Sequence, residues 1–297
     1  MSDVTVLIPT RALPERASLL RRAIASVLDQ EEVTGIPLVI VNGDETDPAV
    51  LRELETSIQL TLVRRTKSGL AGALHAGEQQ AVTTYITALD DDDILLPGAL
   101  AMRVQRLARD PGLDAVITNG LRRNAEGDAL HVTDMATVRA DPVGSMIRSN
   151  WLLPGAWLAR RQAVSGQLFA EMPKGLECTY LGLRLVTGFR VAFLDEPTVV
   201  WHTDAPRNLH GSREFLLAQA DGLAALDRLA LPPAVRSTLR RRRTDALHWG
   251  ADLLLREGDR RSAWSWHLRS LAGPGGWRYA PFTVRLLLPV RVSRAAS

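Results

Sequence analysis

Through the first 120 residues, short apolar runs alternate with longer segments in which apolar residues recur every three or four positions. The runs at 4–8, 38–41, 60–63, 84–89 and 115–118 have the length and β-branched content of buried strands. Between them, residues 16–30 carry Leu19, Leu20, Ala23, Ile24, Val27 and Leu28 along one helical stripe. Residues 49–57 and 70–82 read as two further helices, and Pro97 suits the first turn of another that runs to about Arg109. Strands separated by helices of this length predict an α/β fold with a mostly parallel sheet flanked by helices. Ligands of such sheets gather at the carboxyl ends of the strands. Two acidic segments, Asn42 to Asp47 and Asp90 to Asp93, follow predicted strands and are expected to share one crevice.

The pattern then loosens. Residues 130–132 suit a hairpin strand, and 151–158 are apolar but interrupted by Pro154 and Gly155. A helix over 176–186 ends at Gly188, and two strands, 190–194 and 198–201, are joined through Asp195, Glu196 and Pro197. Beyond Gly211 the periodicity is helical over 212–229, 233–257 and 260–270. This predicts a first domain over 1–210 and a C-terminal helical region over 211–297.

Apolar residues make up 46% and charged residues 23% of the 297 positions, the profile of a globular protein in water. A net charge of +3 is too small to imply a nucleic-acid partner. Its distribution is uneven, because from Arg236 onward there are thirteen Arg against four acids. That tail serves either as solvated helix faces or as contact with an acidic partner or membrane surface. Arg240 to Arg243 surround a helical turn on all sides, which argues against a single nucleic-acid stripe. The single Cys178 excludes an internal disulfide and suits a reducing compartment. The N-terminus reads as a strand and not a signal core, and no apolar run reaches the roughly 20 residues a bilayer requires. A cytoplasmic location is expected. The apolar run at 282–290, flanked by Arg, leaves room for peripheral contact at the inner membrane face through the basic C-terminus.

The candidate chemistry centres on Tyr85 to Pro97, where an apolar run leads into Asp90, Asp91, Asp92 and Asp93. Four adjacent carboxylates repel one another, and a fold that gathers them offsets the repulsion with a cation. Their hard oxygens suit Mg²⁺ or Mn²⁺, ions that also bind phosphate. If the strand persists, Asp90 and Asp92 share a face, one for a sugar hydroxyl and one for the metal. A helix cap needs one Asp and not four. Asn42 to Asp47 form either a capped turn or a set of hydrogen-bonding groups for a base or ribose. Gly69, Gly72 and Gly77, interleaved with three Ala, allow close approach of a ligand or of another element. Glu177 at a helix start is either a dipole residue or a general base. Cys178 has no activating base nearby in sequence and is not read as a nucleophile. His202 is either a metal ligand or a core histidine. Trp151, Trp157 and Trp201 present faces for sugar stacking, with core packing expected for at least two.

In order along the chain, these segments resemble the family 2 glycosyltransferases, nucleotide-diphospho-sugar transferases of the GT-A fold. The resemblance spans Val4 to His202. It is carried by Val6-Leu7-Ile8-Pro9-Thr10 with Ser26-Val27-Leu28 and Gln30, and by Tyr85 to Pro97, similar to the family's Asp-x-Asp metal segment. It continues in Glu177 with Leu181, Arg184-Leu185 and Gly188-Phe189-Arg190, and in Phe193 to His202. It implies inverting transfer of a sugar from a nucleotide-diphosphate donor to an acceptor hydroxyl, with Mn²⁺ or Mg²⁺. The acceptor would be a glycan, a small molecule or a lipid-linked molecule. Pro9, Thr10, Asn42, Asp44 and Gly69 would line the nucleotide, and Asp90 and Asp91 would face the ribose or donor sugar. Asp92 and His202 would hold the metal, and Glu177 would take the acceptor's proton. Three positions depart from the family pattern. Cys178 stands in place of the second acid of a Glu-Asp pair, Asn42-Gly43-Asp44 in place of an Asp pair, and Leu74-His75 in place of Arg-Asn. The first departure leaves a catalytically impaired relative, binding a nucleotide sugar or a partner, as the alternative.

Overall fold

The computed structural model describes residues 3–67, 69–203 and 212–288. The chain divides into two compact units, residues 1–172 with 177–208, and residues 173–176 with 209–297. The predicted domain boundary near 210 lies outside the described residues, as do residues 289–290 of the apolar run at 282–290.

The first unit opens with β1 (Asp3–Thr10), α1 (Ala17–Leu28), β2 (Thr34–Asn42), α2 (Pro48–Thr56), β3 (Thr61–Arg65), α3 (Leu70–Gln80) and β4 (Tyr85–Ala88). It continues with β5 (Ile94–Leu95), α4 (Ala99–Arg109), β6 (Ala115–Asn124), β7 (Gly127–Leu130), α5 (Met135–Ala140) and α6 (Pro142–Arg148). It closes with β8 (Trp157–Arg160), α7 (Arg161–Val164), α8 (Glu177–Gly188) and β9 (Val191–His202). One sheet runs in the order β3-β2-β1-β4-β8-β6-β9-β5, with β7 beside β6. The ladders β3/β2/β1/β4 are parallel, as the helix-separated runs predict. Beyond β4 the sheet is mixed. β8 runs antiparallel to β4 and β6, β9 runs parallel to β6, and β5 runs antiparallel to β9.

Both faces of the parallel half are covered, which explains why its strands read as continuous apolar runs. Val4, Val6 and Ile8 of β1 belong to the same core cluster as Leu20, Ala23 and Val27 of α1. On the other face α3 comes so close that a Cβ on Gly77 would stand 2.9 Å from side-chain atoms of both Leu7 and Ile40. Tight packing therefore accounts for Gly77 in the small-residue run.

Several details differ from the sequence expectation, among them β5 and α7, which were not expected, and the hairpin strand β7, which lies at Gly127–Leu130 and not at 130–132. The two strands expected over 190–201 are one strand, β9. Pro197 cannot donate to a ladder, and the register against β6 slips on either side of the Asn119–Pro197 pair, so the strand passes the proline by irregular pairing. The expected helix at Pro97 starts at Ala99, because Gly98 takes φ 72° and delays the helical turn. Helices α5 and α6 were not expected. Asp134 and Asp141 cap them by accepting from the backbone N–H of Thr137 and Gly144. Finally, β4 ends at Ala88, close to the expected end at 89, so the condition under which Asp90 and Asp92 would share a strand face is not met.

The second unit contains α9 (Arg213–Leu226), α10 (Pro233–Arg256), α11 (Arg260–Leu271), a 3-10 turn at Gly276–Tyr279 and α12 (Phe282–Leu287). Ala251, Leu254, Leu255, Ala263, Phe282 and Leu286 form its core. Among the described residues no helix is long and apolar enough to cross a membrane.

Candidate active site

After Ala88, Leu89 still donates its N–H to the Leu7 carbonyl (2.9 Å), and then the chain turns. Asp93 N donates to Asp90 O (3.1 Å), so the four aspartates form a tight turn and not a strand continuation. The turn sends their side chains in two directions. Asp91 points to the loop after β1, where its Oδ2 accepts from Thr10 Oγ1 (2.6 Å) and its carboxylate accepts from Arg16 Nε and Nη2. Arg16 also reaches Asp92 Oδ2 at 3.0 Å, and Arg22 donates to the Asp92 carbonyl at 2.9 Å. In the other direction, one carboxylate oxygen each from Asp90, Asp92 and Asp93 lie within 4.8 Å of one another.

The charges here are strongly perturbed. Burial first, then the charges of Asp92 and Asp91, push the Asp90 carboxyl up to about 7, with Arg16 working against the rise. Burial, followed by Asp90 and Asp92, drives Asp93 well above the usual carboxylate range. Asp93 is fully buried; its Oδ1 accepts from the His202 backbone N–H (2.9 Å), and its Oδ2 is buried without a hydrogen-bond partner among the described residues. Burial also opposes the charged form of Arg16, but hydrogen bonds and charge from Asp91 and Asp92 outweigh it and hold the guanidinium protonated. One arginine thus faces Asp91 and Asp92, while the buried side of the turn, toward Asp93, holds the uncompensated carboxylate oxygen. The donor set on that side fits a hard divalent cation: three carboxylates at metal-binding separation, one with an orphaned buried oxygen.

Of the residues expected at the nucleotide, Pro9 and Thr10 lie at the end of β1 and Asn42 at the end of β2. Thr10 ends β1, and its hydroxyl also accepts from Ala12 N (3.0 Å). The loop after β2 is tied to that after β1 by an Arg11–Glu45 ion pair and by Asp47 N donating to Ala12 O (2.9 Å). Both acidic segments therefore meet the stretch from Thr10 to Arg16. Asn42 Oδ1 accepts from Arg65 Nη1 (3.1 Å), and a Cβ on Gly72 would stand 2.6 Å from that guanidinium, so Gly72 makes room for Arg65. Asp44 is exposed and Pro9 half-buried. Gly69 caps α3 at φ 131° with open space where a Cβ would be.

Glu177 begins α8, and its charge acts on Asp90. The neighbouring Cys178 thiol is pushed up by burial and then by Asp90, Glu177 and Asp93, so it stays protonated among carboxylates. His202 ends β9 with Nδ1 3.9 Å from Asp93 Oδ1. Of the three tryptophans, Trp151 and Trp157 are buried. Trp201 is half-buried, with Arg122 5.3 Å from its ring centre and His131 against its edge. Two residues had no role assigned from sequence. Asp93 was visible as the fourth aspartate, but only the turn separates it from Asp91. Arg16 carried no signal, because its partner Asp91 is 75 positions away.

The fold is similar to that of solved glycosyltransferases. The structure of S. aureus TarS 1-349 in complex with UDP-GlcNAc aligns with a TM-score of 0.54 at 13% identity, over 81% of this chain and 71% of that one. The mannosyltransferase PcManGT from Pyrobaculum calidifontis, in complex with GDP-Man and Mn²⁺, aligns with a TM-score of 0.53 at 19% identity, over 96% of this chain and 80% of that one. No curated protein matches. The sequence profile described as Glycosyl transferase family 2 matches residues 5–162, more than half of the chain, from β1 through the aspartate turn to β8. The chain belongs to that family and is a glycosyltransferase.

Proposed function

We propose that residues 1–210 form a catalytic domain that moves a sugar from a nucleoside-diphosphate donor to an acceptor hydroxyl, with inversion at the anomeric carbon and dependence on a divalent cation. The observation that carries this reading is the triad of Asp90, Asp92 and Asp93, with an orphaned buried oxygen on Asp93. These three residues would hold the ion, with His202 beside Asp93 as a further ligand. When bound, such an ion neutralises charge on a leaving diphosphate. The PcManGT complex contains Mn²⁺ together with GDP-Man, which supports this reading.

The chain's own groups supply the rest. Thr10 and Arg16 fix Asp91 at the floor of the loop after β1, which keeps the turn in one geometry. Asp91 then faces the ribose or donor sugar, while Pro9, Asn42, Asp44 and Gly69 border the nucleotide. Glu177, whose charge reaches Asp90, accepts the acceptor's hydroxyl proton as the oxygen attacks the anomeric carbon, a role worth roughly 10²–10⁴-fold in rate. Holding donor and acceptor together supplies much of the remaining acceleration. Residues 211–297 form a separate helical region. The test is Asp92→Ala, assayed for donor hydrolysis and transfer with Mn²⁺; turnover equal to wild type rejects this site.

One observation favours a second reading, a binding protein with little catalysis. Cys178 replaces an acid of the family pattern, and its protonated thiol offers no base. Nucleotide-sugar binding without detectable transfer, gained on Cys178→Asp, would select that reading.

A further inference from the structure

The two regions of the chain carry opposite charge. Residues 1–208 contain twenty-one Lys and Arg against twenty-six Asp and Glu, whereas residues 209–297 contain fifteen Arg against seven acids. The basic region also carries apolar side chains directed outward. Helix α12 has two opposite apolar faces. Phe282 and Leu286, four apart, are buried in the core of the second unit with Leu254, Leu255 and Ala263. Val284, Leu287 and Leu288, at i, i+3 and i+4, lie on the other side and are 58%, 67% and 57% exposed. Trp277, in the 3-10 turn just before, is 79% exposed. Arginines are interleaved with them. Arg285 lies 5.1 Å from the Phe282 ring centre and 2.7 Å from Asp252, and Arg278 ion-pairs with Asp245.

We propose that the stretch from Trp277 to Leu288 docks the second unit onto an anionic phospholipid surface. A helix needs one apolar face for its core; α12 has a second, and contiguous exposed apolar side chains mark an interaction surface. Tryptophan and aliphatic side chains beside arginines suit the boundary between acyl chains and headgroups, where the guanidinium groups reach outward while the apolar groups sink. At six residues α12 is far too short to span a bilayer, so the contact is with one leaflet. The excess of eight positive charges over 209–297 is complementary to anionic headgroups. It opposes the competing occupant, a second copy of the same unit, which would bring like charge against like.

The test uses the full chain and sedimentation with vesicles of phosphatidylcholine, alone or mixed with phosphatidylglycerol. The chain is expected to partition onto the mixed vesicles, less so as salt rises. Trp277→Ser combined with Leu287→Ser lowers partitioning roughly tenfold or more. Ile58→Ser, at a 99% exposed position in the first unit, leaves it unchanged. The thermal midpoints of both variants should match wild type; if the double variant's midpoint falls, Trp277→Ser alone is read in the same assay. Failure to bind mixed vesicles, equal binding to phosphatidylcholine alone, or binding indifferent to the substitutions overturns the proposal. A dimer detected by light scattering, abolished by the double variant and without vesicle binding, overturns it in favour of a second copy. None of these measurements reads sugar transfer, so the outcome is independent of the catalytic proposal.

Discussion

Replacing Asp93 with Asn probes the cation reading at its most buried group. Asp93 Oδ1 accepts from the His202 backbone, and an asparagine oxygen can keep that bond. Its other oxygen is the orphan, and its charge is opposed by burial and by Asp90 and Asp92. Asp90 is held at about 7 instead of 3.8 for similar reasons. A carboxyl whose folded value lies above its unfolded value favours folding below the unfolded value and loses that contribution as pH rises through the folded one. For Asp90 this loss falls between pH 3.8 and about 7. It amounts to at most about 4 kcal/mol before structural relaxation and solvent reduce it. The metal-free protein should therefore lose stability across that window.

On the proposed reading, a bound divalent ion should reverse the trend. Saturation at about a hundred times Kd adds about 2.7 kcal/mol. Each kcal/mol moves the thermal midpoint of a unit this size by about 2–4 °C, so Mn²⁺ should raise it by roughly 5–10 °C at about pH 8. At about pH 5.5 the ion must displace protons from Asp90 and Asp93, and the rise shrinks. Asp93→Asn should raise the metal-free midpoint at about pH 8, because the cost of holding a carboxyl at this buried, acid-flanked position is gone, and cut the Mn²⁺ response below about 2 °C. Scanning fluorimetry with Mn²⁺, with and without UDP or GDP, measures all of these quantities. An unchanged wild-type midpoint with Mn²⁺ and either nucleotide, or a full response in Asp93→Asn, refutes the reasoning.

Four further outcomes are expected. Glu177→Gln should lower transfer about 10²–10⁴-fold while keeping the Mn²⁺ thermal shift, and full activity would remove Glu177 as the base. Cys178→Ala should change turnover by less than about twofold, because a thiol held protonated acts neither as base nor as nucleophile; a large loss in single-turnover assays would contradict this. Arg16→Ala leaves Asp91 without its guanidinium partner and should cost about 3 kcal/mol in urea unfolding, and a neutral result would show that solvent compensates. Gly35→Ala would place a Cβ 2.4 Å from the Val27 carbonyl oxygen, which should cost about 1–3 kcal/mol; unchanged stability would mean that β2 and α1 separate freely.

Much of this molecule was readable from local pattern. The period of apolar positions located the strands and helices of the parallel half, because each is specified by side chains close together in sequence. The acidic cluster, though not its turn, was visible for the same reason: four adjacent carboxylates are a local fact with a physical cost. What local pattern could not supply was pairing across distance. The order in which β8, β6 and β9 join the sheet, and the passage of β9 through Pro197, depend on which edges meet in the folded chain. The division of labour among the aspartates has the same origin. Asp91 is drawn to Thr10 and Arg16 from a loop 75 or more positions away, and only the remaining three converge. The sequence by itself determined the elements and the presence of concentrated negative charge. The tertiary structure decided how far the protein itself offsets each carboxylate, because burial and long-range partners, not residue type, set the energy of each charge.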